Sequence, residues 1–262
     1  RQRQMCIRDS NNGGARYNTS YIQGVGIGTT TDSLTAIKYN VFDKKKLSME
    51  EFLFAMNKNF ENLDTIKNLL LNETPKYGND NDYADAVLKT VFEIYFSAVD
   101  GRPNTKGGYF RINLLPTTSH VYFGSVTNAT PDGRLAGVPV SEGISPVQGA
   151  DVNGPTAVLK SASKIDHLRT GGTLLNQKFT PQIFENDESI NKIVSLIRSY
   201  FKMDGHHIQF NVIDADTLRD AQQHPENYRD LIVRVAGYSD YFVDLTPELQ
   251  EEIIKRTEHM SY

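Results

Sequence analysis

"LIVRVAGYSDYF" runs from Leu231 to Phe242 and is an apolar, β-branched run with a bare glycine, Gly237, set into it. A glycine inside a strand pattern lowers stability, because it loses more backbone entropy than other residues and packs no side chain. A glycine in such a run therefore marks a turn, a bulge or a close approach of the backbone to a neighbour. The sequence around it has to decide which of these applies.

Composition places the chain among ordinary soluble globular proteins. It has 262 residues, of which 39% are hydrophobic and 23% charged, which fits one large or two small domains. The net charge is -4 and the basic residues are scattered, which argues against a nucleic-acid-binding or acidic-membrane surface. No stretch approaches the roughly 20 apolar residues of a membrane span, and no apolar secretory core is present. We therefore expect a cytoplasmic protein.

The first ten residues, "RQRQMCIRDS", are polar and patternless and resemble a translated adaptor or vector end. We expect residues 1–10 to be a non-native tail. This segment holds Cys6, the one cysteine of the chain, so a catalytic role for Cys6 is not expected. A single cysteine also excludes an internal disulfide, and the histidines have no spacing typical of a metal site. We predict no bound metal.

Strand-like and helix-like segments alternate along the rest of the chain. Ser48 and Glu51 have capping-box spacing, which predicts a helix that starts at Ser48. We predict strands at 21–29, 173–181 and 206–214 and an extended segment at 111–124 that breaks at Pro116. We predict helices after the polar loop at 75–85, at 188–201 and at 217–232, and turns only between 127 and 155. The last helix is expected to be interrupted at Pro225. This alternation predicts an α/β fold with a parallel sheet or barrel and helices packed outside.

Apolar periodicity also predicts which side chains these elements bury. The helix at Ser48 is expected to bury Phe52, Ala55, Met56, Phe60 and Leu63; the helix after the loop at 75–85 to bury Val87, Val91, Ile94, Tyr95 and Ala98; and the helix at 188–201 to bury Ile190, Ile193, Val194, Ile197 and Phe201. In the strand at 206–214, Ile208, Phe210 and Val212 share one face.

Family resemblance goes further than these patterns. "RVAGYS", at Arg234 to Ser239, resembles the C-terminal signature of the glycyl radical enzymes, which include pyruvate formate-lyase and radical dehydratases and decarboxylases. Other stretches resemble that family in the same order: "GGARYN", "GVGIGTTTDSLTAIK", "PKYGNDNDYAD", "LLPTTSHVYFG", "ATPDGRLAG", "SEGISPVQGADVNGPTAV", "HIQFNV" and "LQEEIIKRTEH". Together they cover nearly everything after residue 11.

The resemblance implies a fold and a site. Residues 11–262 would form the C-terminal half of a ten-stranded α/β barrel with helices outside and the glycyl radical loop inside, and the glycyl radical domain would span about 140–262. Gly237 would carry the radical, installed by an activating enzyme that uses S-adenosylmethionine, and no cofactor would stay bound. Its apolar neighbours, Val233, Val235, Tyr238 and Phe242, would keep the loop dry. Thr117 would approach the substrate, although a strand-end hydroxyl bonded to backbone is equally consistent with its position.

The resemblance also implies a reaction. "GGARYNTSYIQGVGIGT", "LLPTTSHVYFG" and "DGHHIQFNV" most resemble the dehydratases of trans-4-hydroxy-L-proline, with glycerol or propanediol dehydratases as the alternative. Family members pass the radical to a cysteine upstream of "GGARYN". We therefore expect this chain to be the C-terminal fragment of a larger homodimeric enzyme, inactive alone.

Two readings from other functional classes stay open. An autonomous spare-part protein would replace the oxygen-damaged end of a cleaved glycyl radical enzyme. A nucleotide-binding module would rest on "GVGIG", Gly24 to Gly28, which lacks the full dinucleotide-loop spacing.

Overall fold

The computed structural model describes residues 18–184, 186–256 and 258–259. The predicted tail at residues 1–10 and Cys6 lie outside the described residues. The α-helices are α1 (Ile27–Ile37), α2 (Met49–Asn57), α3 (Asp64–Asn68), α4 (Asp82–Val99), α5 (Ser119–Ser125), α6 (Pro155–Ala162), α7 (Asp187–Lys202), α8 (Ala215–Gln223) and α9 (Pro247–Lys255). The strands are β1 (Thr19–Gln23), β2 (Tyr109–Asn113), β3 (Asn176–Phe179), β4 (Gln209–Val212), β5 (Ile232–Arg234), β6 (Ser239–Tyr241) and β7 (Glu258–His259).

Parallel pairing organises the strands, as the alternation of the sequence predicts. Strand β1 pairs with β2, and β3 pairs with both β4 and β7, all in parallel. A parallel bridge between Leu114 and Thr173 connects the end of β2 to the segment that leads into β3. Helices α4 and α7 pack on this sheet through a core that includes Phe92, Ile112 and Phe179. The predicted α/β architecture with outer helices is confirmed.

The glycine-containing run forms a separate antiparallel hairpin. Strands β5 and β6 pair with Arg234 opposite Ser239, and the Val235 N–H donates to the Tyr238 carbonyl across the turn at 2.9 Å. The hairpin packs on α8 and α9 in a second core, where Val233, Val235 and Phe242 are buried. Tyr238 is 39% exposed, so three of the four predicted apolar neighbours are buried within this chain and Tyr238 is not.

Local capping predicts several boundaries correctly. The Glu51 N–H donates to Ser48 Oγ at 3.2 Å and the Ser48 N–H donates to Glu51 Oε2 at 2.8 Å, which completes the predicted capping box. Helix α8 ends at Gln223, two residues before Pro225, because proline cannot continue a helix. The predicted continuation of this helix to residue 232 is wrong, since Ile232 begins strand β5. The segment from 126 to 154 contains no helix or strand, as predicted.

Two predicted strands are shorter than expected. The strand predicted at 21–29 ends at Gln23, and Ile27 already lies in helix α1. Gly26 has a φ of +78°, a left-handed conformation that turns the chain from strand to helix. The extended segment predicted at 111–124 ends as a strand at Asn113, and helix α5 begins at Ser119.

The predicted buried faces of the helices are partly wrong. Helix α2 ends at Asn57, so Phe60 is buried beyond the helix. In α4 the fully buried residues include Leu88 and Phe92, whereas Ile94 is 64% exposed. In α7 the buried residues are Ile193, Leu196 and Tyr200, whereas Ile190, Val194 and Phe201 are exposed. The apolar stripe of α7 is wider than the part that packs on the core of this chain, so its remaining apolar side chains are exposed.

The buried face of β4 is the polar one. Gln209 and Asn211 are 5% exposed each, whereas Val212 is 44% exposed and Phe210 is half-buried. The prediction that Ile208, Phe210 and Val212 form the inward face is therefore incomplete. Ile208 and Phe210 pack on the helical core, and the opposite, polar face of β4 is covered by the β5–β6 hairpin.

Candidate functional site

Gly237 lies at the exposed tip of the β5–β6 hairpin with a φ of +81°. A Cβ atom added there would meet Leu174 Cδ1 at 3.4 Å, which is ordinary van der Waals contact. The requirement for glycine therefore does not come from close packing. Within the static structure it comes from the left-handed backbone, which side chains other than that of glycine adopt with strain.

The backbone on the N-terminal side of Gly237 is held by buried side chains. Arg256 Nη2 donates to the Val235 carbonyl at 2.8 Å, and Nη1 donates to the Arg234 carbonyl at 3.3 Å. Asn211 binds the same strand from β4, because its Nδ2 donates to the Arg234 carbonyl at 2.7 Å and its Oδ1 accepts the Arg234 N–H at 2.8 Å. The side chains of Arg256 and Asn211 thus bind backbone groups of β5 that a neighbouring strand would otherwise pair with. They fix the hairpin just before Gly237.

Gly237 itself is bound by Gln209. The Gly237 N–H donates to Gln209 Oε1 at 3.1 Å, and Gln209 Nε2 donates in turn to Asn176 Oδ1. Gln209 and Asn176 are register partners on the neighbouring parallel strands β4 and β3, so their side chains lie on the same face of the sheet. Asn176 Nδ2 donates to Glu142 Oε1 at 2.5 Å, and Ser145 Oγ donates to the same oxygen at 2.6 Å.

Glu142 ends this chain of hydrogen bonds inside the protein. It is 2% exposed, and burial raises the pKa of its carboxyl group, while Arg256 and His120 oppose that rise. Its Oε2 atom has no hydrogen-bond partner among the described residues. The hydrogen bonds from Asn176 and Ser145 all go to the other oxygen, so they fix the orientation of the carboxyl group.

A buried ion pair supports Arg256. Glu252 Oε2 accepts from Arg256 Nη2 at 2.8 Å, one helical turn away, and Glu252 Oε1 lies 3.4 Å from His120 Nε2. Burial raises the pKa of Glu252, but the charges of Arg256 and His120 outweigh it and hold that pKa well below its usual range. Glu252 therefore carries its charge at neutral pH and neutralises the buried guanidinium.

Thr117 is exposed and has a φ of +53°, a strained conformation for a β-branched residue. Its hydroxyl donates to the Pro116 carbonyl at 2.7 Å, which is the backbone-bonded arrangement left open by the sequence, although the residue is not buried. The Thr117 carbonyl lies 3.2 Å from His120 Nδ1. His120 contacts Glu252, so the structure connects Thr117 to the hairpin through His120, Glu252 and Arg256.

Sequence patterns missed the residues that hold the hairpin. All of these residues are polar: Asn176, Gln209, Asn211, Glu252 and Arg256. Where one of them bonds to the hairpin backbone, its partner lies 21 to 59 residues away along the chain. One signal was available: "HIQFNV" places Gln209 and Asn211 at alternate positions of a strand whose other face is apolar. Helices cover the apolar face of this strand. Two amide side chains on its opposite face therefore indicate that the opposite face makes a buried, polar contact.

The described residues form no cluster of three or more histidine, cysteine, aspartate or glutamate side chains that could hold a metal ion. His167 contacts Thr173 Oγ1 and the Ala162 carbonyl at 2.9 Å each. The His206 ring packs against the His167 ring with 5.6 Å between centroids. Of the helices in the described ranges, none is long and apolar enough to cross a bilayer.

Comparison with known proteins gives this hairpin a context. The model of the pyruvate formate lyase-like family matches residues 4–124, and the glycine radical model matches residues 140–243, which include the Gly237 hairpin. The chain belongs to the glycyl radical enzyme family. Trans-4-hydroxy-L-proline dehydratase of Clostridioides difficile is 59% identical over 97% of this chain.

Solved structures of glycyl radical enzymes share the fold. The structure of the hydroxyproline dehydratase from Clostridioides difficile with its substrate bound matches 95% of this chain with a TM-score of 0.93 and 59% identity. The B12-independent glycerol dehydratase from Clostridium butyricum, in its glycerol-bound form, matches 95% with a TM-score of 0.91 and 48% identity. The chain spans 32% of the length of each of these relatives.

Proposed function

We propose that this chain is the radical-storing part of an anaerobic glycyl radical enzyme and that Gly237 carries the radical. The observation that carries the proposal is the hairpin itself. Gly237 is exposed at its tip, while the carbonyls of Arg234 and Val235 and the N–H of Gly237 are bound by buried side chains. The α-carbon is therefore accessible to a partner, although the backbone on its N-terminal side is held firmly.

Glycine suits this role for a chemical reason. Loss of an α-hydrogen leaves a planar carbon radical, into which the amide nitrogen donates and from which the carbonyl withdraws electron density. A larger side chain would hinder both the flattening and the transfer of the hydrogen atom. Space beside Gly237 is sufficient for a Cβ, so packing alone does not account for the glycine.

The radical requires partners that this chain does not supply. We propose that an activating enzyme, which uses S-adenosylmethionine, abstracts the hydrogen from Gly237 in the cytoplasm, and that no separate cofactor stays bound. We assign the thiyl cysteine to a segment outside this chain, because the one cysteine here, Cys6, lies in the segment that we interpret as a non-native tail. The chain alone is then inactive, and the complete enzyme is a homodimer with its glycyl radical domain at about 140–262.

We propose trans-4-hydroxy-L-proline as the substrate, which loses water to give a pyrroline carboxylate. The 59% identity to a dehydratase of that name supports this choice over glycerol or propanediol, for which the glycerol dehydratase is 48% identical. Thr117 is proposed to approach the substrate, and its exposure leaves it accessible.

A turnover assay tests the proposed reaction. The complete enzyme, activated without oxygen, is expected to convert trans-4-hydroxy-L-proline and to leave glycerol unchanged, whereas its Gly237→Ala variant converts neither. Turnover of glycerol or propanediol instead would favour the alternative dehydratases. Rescue of an air-cleaved glycyl radical enzyme by this chain added in trans would favour the autonomous spare-part protein.

A further inference from the structure

Gln209 presents its amide oxygen, and not its amide nitrogen, to Gly237. Two donors converge on Gln209 Oε1: the Gly237 N–H at 3.1 Å and Arg234 Nη2 at 3.3 Å. Its Nε2 faces the acceptor Asn176 Oδ1. A flipped amide would place an NH₂ group against both donors and an oxygen against an acceptor. The three contacts therefore fix which end of Gln209 meets the glycine.

The acceptor is also rigid. Gln209 is 5% exposed, and its backbone N–H donates to the Leu175 carbonyl at 2.9 Å within the parallel sheet. Asn176, which orients the far end of its amide, is 9% exposed and is bound in turn by Glu142 at 2.5 Å. Groups locked by packing and by a second layer of hydrogen bonds hold a reactive residue in one geometry.

Gln209 Oε1 accepts a hydrogen bond from the amide nitrogen of Gly237, the atom that would donate electron density to a glycyl radical. A hydrogen-bond acceptor on the N–H raises electron density on the amide nitrogen, which donates into the radical. Conjugation requires rotation about the N–Cα bond from the observed φ of +81°. If the peptide before Gly237 stays fixed, that rotation keeps the N–H and its bond to Gln209 in place. It moves the chain after Gly237 instead, including the Tyr238 carbonyl that accepts from the Val235 N–H at 2.9 Å.

We propose that Gln209 is a positioning residue for the stored radical: its amide oxygen holds the amide nitrogen of Gly237 and stabilises the radical through that nitrogen. The inference rests on the proposed function, since it requires the radical at Gly237. Asn176 and Glu142 contribute by fixing the orientation of Gln209.

Magnetic resonance of the activated complete enzyme tests this role. With isotope-labelled glutamine side chains, the wild-type radical is expected to show a nuclear coupling to one nearby glutamine amide. Gln209→Met and Gln209→Glu both remove that coupling. Gln222→Met, a control on α8 whose Nε2 donates to Gln250 Oε1 at 3.4 Å, retains it.

The anaerobic lifetime of the radical gives a second readout. Gln209→Met is expected to shorten it about two- to tenfold, the range that one lost neutral hydrogen bond produces. Gln209→Glu keeps an acceptor oxygen for the Gly237 N–H, but its second oxygen then faces Asn176 Oδ1. Its radical is therefore expected to live longer than that of Gln209→Met without reaching the wild-type lifetime, an order that a purely structural role would not explain.

The outcomes separate the two proposals. A wild-type enzyme that forms no glycyl radical would contradict the proposed function. A wild-type radical without glutamine coupling, or a coupling that survives in Gln209→Glu, would overturn only the role of Gln209. If Gln209→Met does not fold, Gln209→Glu still decides, because it removes the labelled amide and keeps the acceptor.

Discussion

Replacing Glu252 by glutamine should destabilise the chain strongly, because it leaves the buried positive charge of Arg256 without its ion-pair partner. Glu252 is 2% exposed and Arg256 is 7% exposed, and the two pair at 2.8 Å. Glutamine preserves the size of the side chain but removes the negative charge. The guanidinium of Arg256 then remains buried, bound to the carbonyls of Arg234 and Val235, with Glu142 as the nearby carboxyl group that still favours its charge. Removing one partner of a buried pair costs about 3–5 kcal/mol of unfolding free energy.

The neighbouring residue provides a matched control. Glu251 pairs with Arg219 on the surface, where solvent screens the charges, so Glu251→Gln is expected to cost about 0–1 kcal/mol. Urea unfolding of the 262-residue chain would measure both changes in unfolding free energy. Equal costs for Glu252→Gln and Glu251→Gln would refute the reasoning.

The same variant should loosen the glycine hairpin. Arg256 binds the carbonyls of Arg234 and Val235, so a misplaced guanidinium releases that side of the turn. Hydrogen exchange of the amides in strands β5 and β6 is expected to accelerate in Glu252→Gln and to stay unchanged in Glu251→Gln. Unchanged exchange in both variants would separate the ion pair from the hairpin.

Two further predictions concern pH and oxygen. Burial raises the pKa of Asp32 from 3.8 to about 7. Between pH 3.8 and about pH 7 the folded chain therefore holds a proton on Asp32 that the unfolded chain lacks. The unfolding free energy consequently falls as the pH rises through that range. Asp32→Asn, which keeps the acceptor for the Tyr77 N–H, should reduce this fall in urea unfolding at pH 5 and pH 7.5; an identical pH profile would contradict the assignment. Air exposure of the activated complete enzyme is expected to cut the polypeptide at Gly237, and intact polypeptide by mass spectrometry would count against a radical there.

Local chemistry made much of the fold predictable. The capping box at Ser48 and the break at Pro225 act within a few residues, so the sequence alone indicates them correctly. Alternation of strands and helices likewise predicted the parallel sheet. Element ends were less predictable where a turn depends on tertiary contact, as at Gly24, where an added Cβ would lie 2.6 Å from Leu114 Cδ2.

Buried faces and the surroundings of Gly237 could not be read from periodicity. Phe201 and Val194 satisfy an apolar helical stripe and yet are exposed, whereas Tyr200 is buried, because the stripe of α7 is wider than its contact with the core of this chain. Gln209 and Arg256 are polar and reach the hairpin from 28 and 21 residues away. Periodicity reports neighbours along one element, and these contacts join different elements. Resemblance indicated Gly237 itself but not the side chains that hold it.

Electron paramagnetic resonance of the activated complete enzyme tests the central claim most directly. The wild type should give a doublet, because the radical carbon of Gly237 retains one α-hydrogen, and Gly237→Ala should abolish it. Gly137→Ala is the matched control, since Gly137 has a φ of +80° and open space around it, so it carries the same backbone strain. The account predicts a doublet in wild type and Gly137→Ala and none in Gly237→Ala. A doublet that persists in Gly237→Ala would place the radical on another residue and contradict the account.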